Sequence, residues 1–299
     1  MKLKNKYNII DKKLHTYGCS FTDGCSWPTW ATWMGAYYKN LSNRGSGGSG
    51  NHVIFQRLSE DLRNKKINSN DDVVIQWRSC VRADTKIDKN NLKNYIGSGF
   101  VLNNPWYDKN YIDNYYSLPR SVLETLNYIH SAKMLLENMK VNYIMTFMLD
   151  PRIDNNLGEP GFHWKSYRDN SPLKKRKNEL EEALDLVSEF DPLIDKRFAD
   201  SCIFMHQLDN PKVSHFYTPE KEIIPDSHPT PLQHFTFFEK YLAPKFNYIY
   251  IEPLKEAIVP VLTRWENYVT NVSGKWEPHR QCWDDLILEE IDKEKNKLI

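Results

Sequence analysis

Three residues of this chain have the types and spacing that activate a hydroxyl group. Ser20 stands in the run Gly18-Cys19-Ser20-Phe21-Thr22-Asp23-Gly24, and Asp226-Ser227-His228-Pro229 puts a carboxylate two residues before an imidazole. A serine hydroxyl is a poor nucleophile until a base takes its proton, and that base must be oriented by a third group. Histidine suits the task because its unperturbed pKa lies close to neutrality. Asp226 is near enough in sequence to bond Nδ1 of His228 within one turn. Thr230, Pro231 and Gln233 fit an N-cap, a first helical residue and the partner of a capping box. His228 is therefore expected to sit rigidly in front of a helix. The competing account is a capped helix preceded by an incidental Asp and His.

Other chemistry-bearing residues fit less well. Gly45-Ser46-Gly47-Gly48-Ser49-Gly50 has the glycine spacing of a dinucleotide-binding loop. That motif needs a firm strand before it and an acidic residue closing the next one, whereas Asp71 and Asp72 precede the next strand. His234 is the alternative base, but at the fourth position of the capped helix it reads better as structural. Cys19 should point to the opposite side of the chain from Ser20, as a buried thiol. His163 and Trp164 could touch substrate or pack a loop, with nothing to separate the two. No clustered His, Cys and carboxylate spacing suggests a metal, and no cofactor is expected.

The elements that must position these groups follow from hydrophobic period. Residues 13–17 read as a strand ending at Gly18-Cys19-Ser20, and Trp27, Trp30, Met34 and Tyr37 fall at helical spacing after it. Residues 40–44 make a brief second strand before the glycine cluster, and residues 51–63 a helix. Asp-Val-Val-Ile-Gln-Trp at 72–77 is a β-branched run of the kind buried in parallel sheets. Pro119 opens a helix to about Lys140. Residues 141–149 form another buried strand, 201–208 a strand or strand-like edge, and the stretch from Thr236 to Leu242 a helix. A charged helix over 173–189 reads as a solvated face. Strand and helix alternating in this way predict a parallel sheet with helices on both faces, whose sites form at the carboxyl ends of the strands. Ser20, the glycine cluster and the residues around Trp77, Arg78 and Arg82 all fall just past a strand, which makes the last three candidates for substrate contact.

Composition bounds the partners. Forty basic against thirty-nine acidic residues give a net charge of +1, which offers no broad attraction for nucleic acid or anionic membranes. The charged first residues do not resemble a signal peptide, and no apolar run is long enough to span a bilayer, so synthesis in the cytosol is expected. Five scattered cysteines read as reduced thiols. Aromatics make up 13% of the chain, many of them in polar stretches such as 103–116. Flat aromatic faces suit sugar rings, and they also serve to pad insertions onto a core. The expected organisation is one domain over 1–250 with insertions at about 84–118 and 151–200, followed by a helical extension over 251–299.

Gly18-Cys19-Ser20 resembles the first block of the SGNH (GDSL-like) hydrolases, in which Gly-x-Ser follows the first strand. Asn43 followed by Gly48 resembles their second block, with Asn51 in a Gly-x-x-Asn variant, and Asp226-x-His228-Pro229 resembles their last. The resemblance covers about residues 13–245. It implies a three-layer α/β/α fold with a flavodoxin-like parallel sheet, and hydrolysis of an ester, often an acetyl group on carbohydrate or a lipid acyl ester. It casts Ser20, Asp226 and His228 as the triad. The family's third block normally ends in Gly-x-Asn, whose Asn donates to the oxyanion; here Arg78-Ser79-Cys80 stands in its place. The oxyanion hole would then rest on the N–H groups of Ser20 and Gly48, aided by Asn51 or Ser79. Losing one such donor costs roughly 10²–10³ in rate. The two-residue Asp-His spacing resembles phage-encoded variants, which would make the protein virion-associated. An O-acetyl esterase acting on carbohydrate is the leading expectation. Acyl transfer and a non-catalytic binding or virion-structural module on the same fold are the alternatives.

Overall fold

The computed structural model describes residues 10–23, 28–78, 80, 82–86, 95–100, 109–147, 177–187, 215–217, 223–225, 231–247, 249 and 251–271. Four strands make the central sheet: β1 (Ile10–Tyr17), β2 (Tyr38–Asn43), β3 (Asp72–Trp77) and, after a hairpin of β4 (Arg82–Lys86) with β5 (Tyr95–Phe100), β6 (Asn142–Phe147). Their order is β2-β1-β3-β6. β1 runs parallel to β3 with Leu14 opposite Asp72, and β3 runs parallel to β6 with Asp72 opposite Asn142. A first strand flanked by the second on one side and the third on the other is the start of a flavodoxin-like doubly wound sheet. Every residue of β3 is buried, as a β-branched strand covered on both faces requires.

The chain divides into two compact units. The first is built on Lys13–Asp23 and Ser42–Ile203. Its core gathers Tyr17, Val73, Ile75, Trp77, Met145 and Phe147 of the sheet, and receives helices α3 (Asn51–Arg63) and α5 (Leu118–Asn138). Ile54 and Leu58 of α3, and Val122, Ile129 and Leu136 of α5, supply the apolar stripe at helical spacing. Ser117 caps α5 by accepting from Arg120 N, and Leu118 precedes the expected first residue, Pro119. Both long helices end in a left-handed lysine, Lys65 at φ 54° and Lys140 at φ 56°. The N–H of each bonds three residues back (Lys65 to Leu62 O, Lys140 to Glu137 O), and the next N–H reaches five back (Lys66 to Asp61 O, Val141 to Leu136 O). This is a Schellman ending made without glycine.

Two further described helices of the first unit lie in its insertions. In α4 (Lys109–Asn114) and the hairpin β4/β5, the stretch expected to be an aperiodic insertion has regular structure. The charged helix is α6 (Lys177–Val187), with Glu181, Glu182 and Asp185 exposed, Ala183 in the core and Glu179 accepting from Leu118 N.

The second unit is built on Met1–Lys12, Gly24–Leu41 and Phe204–Ile299. Its aromatic core sets Trp30, Trp33 and Tyr37 against Phe237, Phe235 and Phe238 at centroid distances of 6.3, 5.9 and 5.7 Å. Trp30 and Trp33 lie on α2 (Trp30–Gly35), and Phe235 and Phe237 on α7 (Pro231–Phe237). The helix expected through Leu242 changes pitch on the way: α7 passes into a π-helical turn at Phe238–Leu242 and a 3₁₀ turn at Ala243–Lys245. Buried Phe235, Phe238 and Leu242 face the core, and the wider turn brings Phe238 onto Tyr37. A strand pair, β7 (His215–Tyr217) with β8 (Ile223–Pro225), and helix α8 (Glu252–Asn271) follow the same unit's chain. Residues 201–208 and 272–299 lie outside the described residues. Among the described residues no helix is long and apolar enough to cross a membrane.

Candidate active site

The carboxyl end of β1 turns sharply. Thr22 N and Asp23 N both donate to Cys19 O at 2.9 Å, which makes Ser20 the first residue of a single helical turn, α1 (Ser20–Asp23). Gly18 allows it: a Cβ there would collide with Thr22 Oγ1 and approach Gln76 O of β3 to 3.3 Å. Thr22 in turn donates to Gln76 Oε1 at 3.2 Å, tying the turn to the neighbouring strand. Cys19 is fully buried and Ser20 half-buried, so the thiol faces inward as expected.

The glycine cluster is fastened to this turn along its length. Arg44 N donates to Thr16 O at 2.8 Å and Ser46 N to Gly18 O at 3.1 Å. Gly47 N donates to Asp23 Oδ2 at 3.1 Å. Asn43 clamps both sides: its amide donates to Thr22 O at 2.7 Å and Asp23 O at 3.2 Å, while its oxygen accepts from Thr16 Oγ1 and Gly45 N at 3.0 Å each. A Cβ on Gly45 would strike the backbone N of Asp23. Gly48 sits at φ 79°, a conformation that disfavours side chains. The far end of the loop is held by Asp84 of β4, which accepts from Gly50 N at 2.5 Å and Val53 N at 3.0 Å. Asp84 thus caps α3 from a distance, where the N-cap itself is Gly50.

A charge cluster gathers on the buried carboxylate of Asp61. Asp61 accepts from Tyr17 Oη at 3.0 Å and pairs with Arg44 Nε at 3.1 Å and Lys66 Nζ at 2.9 Å. Arg44 also reaches Glu60 at 2.8 Å, and Arg57 donates to Arg44 O at 3.0 Å. Burial, reinforced by Asp61, pushes the Tyr17 phenol far above its ordinary range, so it stays a donor. Burial and the neighbouring Arg44 lower the Arg57 pKa.

Ser20, Gly48, Asn51 and Arg78 belong to one unit, at the carboxyl ends of β1, β2 and β3 and the start of α3. Asn51 differs from its expected part beside the oxyanion. Its amide donates to Arg78 O at 2.9 Å and Thr125 Oγ1 at 3.1 Å, and its oxygen accepts from Arg78 N at 2.7 Å. With both amide protons engaged, Asn51 braces the end of β3. Arg78 is buried, with Nη1 3.4 Å from Cys19 Sγ and its guanidinium 5.7 Å from the centre of the Phe21 ring. Trp77, expected to touch substrate, is instead fully buried in the core cluster. Arg82 pairs in β4 opposite Phe100, and its side chain lies outside the description, as do Ser79, Asp226 and His228. His234 is buried in α7, in keeping with a structural role. Asp84, Thr125, Asp61 and Tyr17 were not singled out from sequence. Each acts through a partner 31 to 74 positions away, and no local motif marks such a pair.

Burial also pushes the Cys80 thiol up to about 12, which leaves it inert.

No protein-family model and no curated protein matches the sequence. Among solved structures the chain is similar to a GDSL-like lipase from Bacteroides thetaiotaomicron, at 15% identity over 79% of this chain and 88% of that one, TM-score 0.37. It is also similar to a member of the lipolytic G-D-S-L family from Veillonella parvula, at 12% identity over 77% and 98%, TM-score 0.39. A third likeness is to an α/β hydrolase enzyme from the metagenome of Lake Arreo, Spain, at 13% identity over 80% and 98%, TM-score 0.38. Likenesses of this size carry no functional assignment.

Proposed function

We propose that the chain is an SGNH-type serine esterase that removes O-acetyl groups from carbohydrate. The observation that carries this reading is the fastening of the glycine loop to the serine turn, through Ser46 N to Gly18 O and the four bonds of Asn43. A nucleophile is useful only if donors for the developing oxyanion are already in place beside it. In this reading Ser20 Oγ attacks the ester carbonyl while His228 takes its proton, and Asp226 holds the imidazole in the productive tautomer. The N–H groups of Ser20 and Gly48 receive the oxyanion. His228 then returns the proton to the leaving sugar hydroxyl, and water releases acetate by the same steps in reverse. Arg78, packed under the turn, lends a fixed positive charge to the site.

The test is kinetic. Hydrolysis of p-nitrophenyl acetate, then of acetylated oligosaccharides, should fall by roughly 10⁶ in Ser20→Ala and equally in His228→Ala. The double variant should be no worse, because a nucleophile without its base is no longer activated. Asp226→Ala should lose less. Full engagement of the Asn51 amide favours a second reading, a glycan-binding module on the same fold. Wild type no faster than Ser20→Ala across a broad ester panel would select it.

A further inference from the structure

A cavity of about 660 Å³ lies within the first unit, between the start of α3, helix α4 and the first half of α5. Four tyrosines line it: Tyr111, Tyr115, Tyr116 and Tyr128. At its side, Tyr111 and Tyr115 stack with centroids 6.5 Å apart and planes 20° from parallel, yet they are 40% and 68% exposed. Exposed aromatic rings held nearly parallel leave outer faces that water solvates poorly. Tyr128 is fixed from behind by Phe55, stacked at 5.5 Å and 22°, and its hydroxyl lies 3.2 Å from His52 Nδ1.

The charges of the lining cancel or are engaged. Arg120 pairs with Glu124 at 2.8 Å, and the carboxylate of Asp84 accepts two N–H groups of the loop and α3. No excess positive charge remains to attract phosphate or carboxylate, and the one unbalanced carboxylate of the lining, Asp84, is already spent on two backbone N–H groups. Phenols, hydroxyls and an imidazole ring the space, a lining too polar to suit an acyl chain. A ligand with flat C–H faces and a hydroxyl edge, but no net charge, matches both properties. We propose that this cavity binds pyranose units of a neutral glycan, with Tyr111 and Tyr115 as the stacking platform.

Ser20 does not line the cavity, and the link between the two runs through Asn51. Asn51 lines it and bonds the backbone of Arg78, whose guanidinium reaches Cys19 beside Ser20. On the hydrolase reading, and resting on it, the cavity is the subsite that holds the glycan whose ester is cut at Ser20. The ligand class itself follows from the lining and does not need that reading.

The test is binding of labelled wild type and Ser20→Ala to a broad printed array of neutral and charged glycans, followed by titration of the strongest neutral ligand. Both proteins should retain neutral pyranose glycans. Tyr111→Ala with Tyr115→Ala should weaken binding at least tenfold, on the order expected for loss of an aromatic anchor, and Tyr115→Phe should keep it. Tyr115→Ala alone, at the most exposed ring, serves if the double variant melts early. Retention of charged glycans only, no retention, or unchanged affinity in the folded alanine variants would overturn the proposal. Glycan binding without Ser20-dependent esterase activity overturns the hydrolase reading alone. Esterase activity without glycan binding overturns the cavity assignment alone.

Discussion

Removing the Asn51 side chain breaks three hydrogen bonds at once and leaves Arg78 N, Arg78 O and Thr125 Oγ1 to find other partners in a buried place. Asn51→Ala should therefore cost about 1–3 kcal/mol in denaturant unfolding, and turnover should fall with it as the end of β3 loosens. Normal stability with lowered turnover would instead give Asn51 a direct part beside the oxyanion. Tyr17→Phe is the parallel case one layer down. Asp61 would lose its phenol donor while keeping Arg44 and Lys66, and the expected cost is again about 1–3 kcal/mol. An unchanged unfolding midpoint would contradict it. At this scale Ser20 and the glycines were legible because local chemistry marks them: Gly18 must lack a Cβ for the turn to close, and Gly45 for Asp23 to approach. Asp84 was not legible. A carboxylate capping a helix that begins 33 residues earlier leaves no trace in local sequence.

The two longest helices of the first unit end on lysines at positive φ, where an L side chain crowds the following carbonyl. The left-handed conformation costs roughly 1–2 kcal/mol for such a residue, partly offset by the greater freedom that glycine loses on folding. Lys65→Gly and Lys140→Gly should each raise stability by about 0.5–1 kcal/mol, measured as a shift in the denaturant midpoint at constant slope. A loss of stability would mean that the lysine stems contribute packing the helix ends need. Helices α3 and α5 and strands β3 and β6 were legible because their buried faces repeat every 3.6 or are largely apolar, whereas β1, Ile-Asp-Lys-Lys-Leu-His-Thr-Tyr, was read only over its last five residues. Both helix endings lacked the glycine that usually announces them. The β4/β5 hairpin was missed because Arg-Ala-Asp-Thr-Lys and Tyr-Ile-Gly-Ser-Gly-Phe show no apolar alternation, and the π turn because pitch follows from the packing of Phe238 against Tyr37 and Phe235.

For the molecule as a whole, alternating strands and helices foretold a parallel α/β sheet, and its β2-β1-β3-β6 order carries that out. The two units interleave along the chain, so no shift in composition marks where one gives way to the other. Global stability should depend on His15, fully buried on β1. Burial lowers its pKa and outweighs the opposing pull of Asp71, whose carboxylate lies 3.4 Å from Nε2. Below about 6.5 the unfolded chain takes up a proton that the folded one refuses, so this residue withdraws stability as pH falls through that value. His15→Gln should flatten the acid side of the stability profile relative to wild type, and parallel profiles would contradict the assignment. Whether Ser20 is an activated nucleophile is decided by reaction with a fluorophosphonate followed by peptide mapping. One adduct is expected, on Ser20, that vanishes in Ser20→Ala and is strongly slowed in folded His228→Ala. No adduct on the folded wild-type protein, or an adduct on Ser20 formed equally fast without His228, would contradict it.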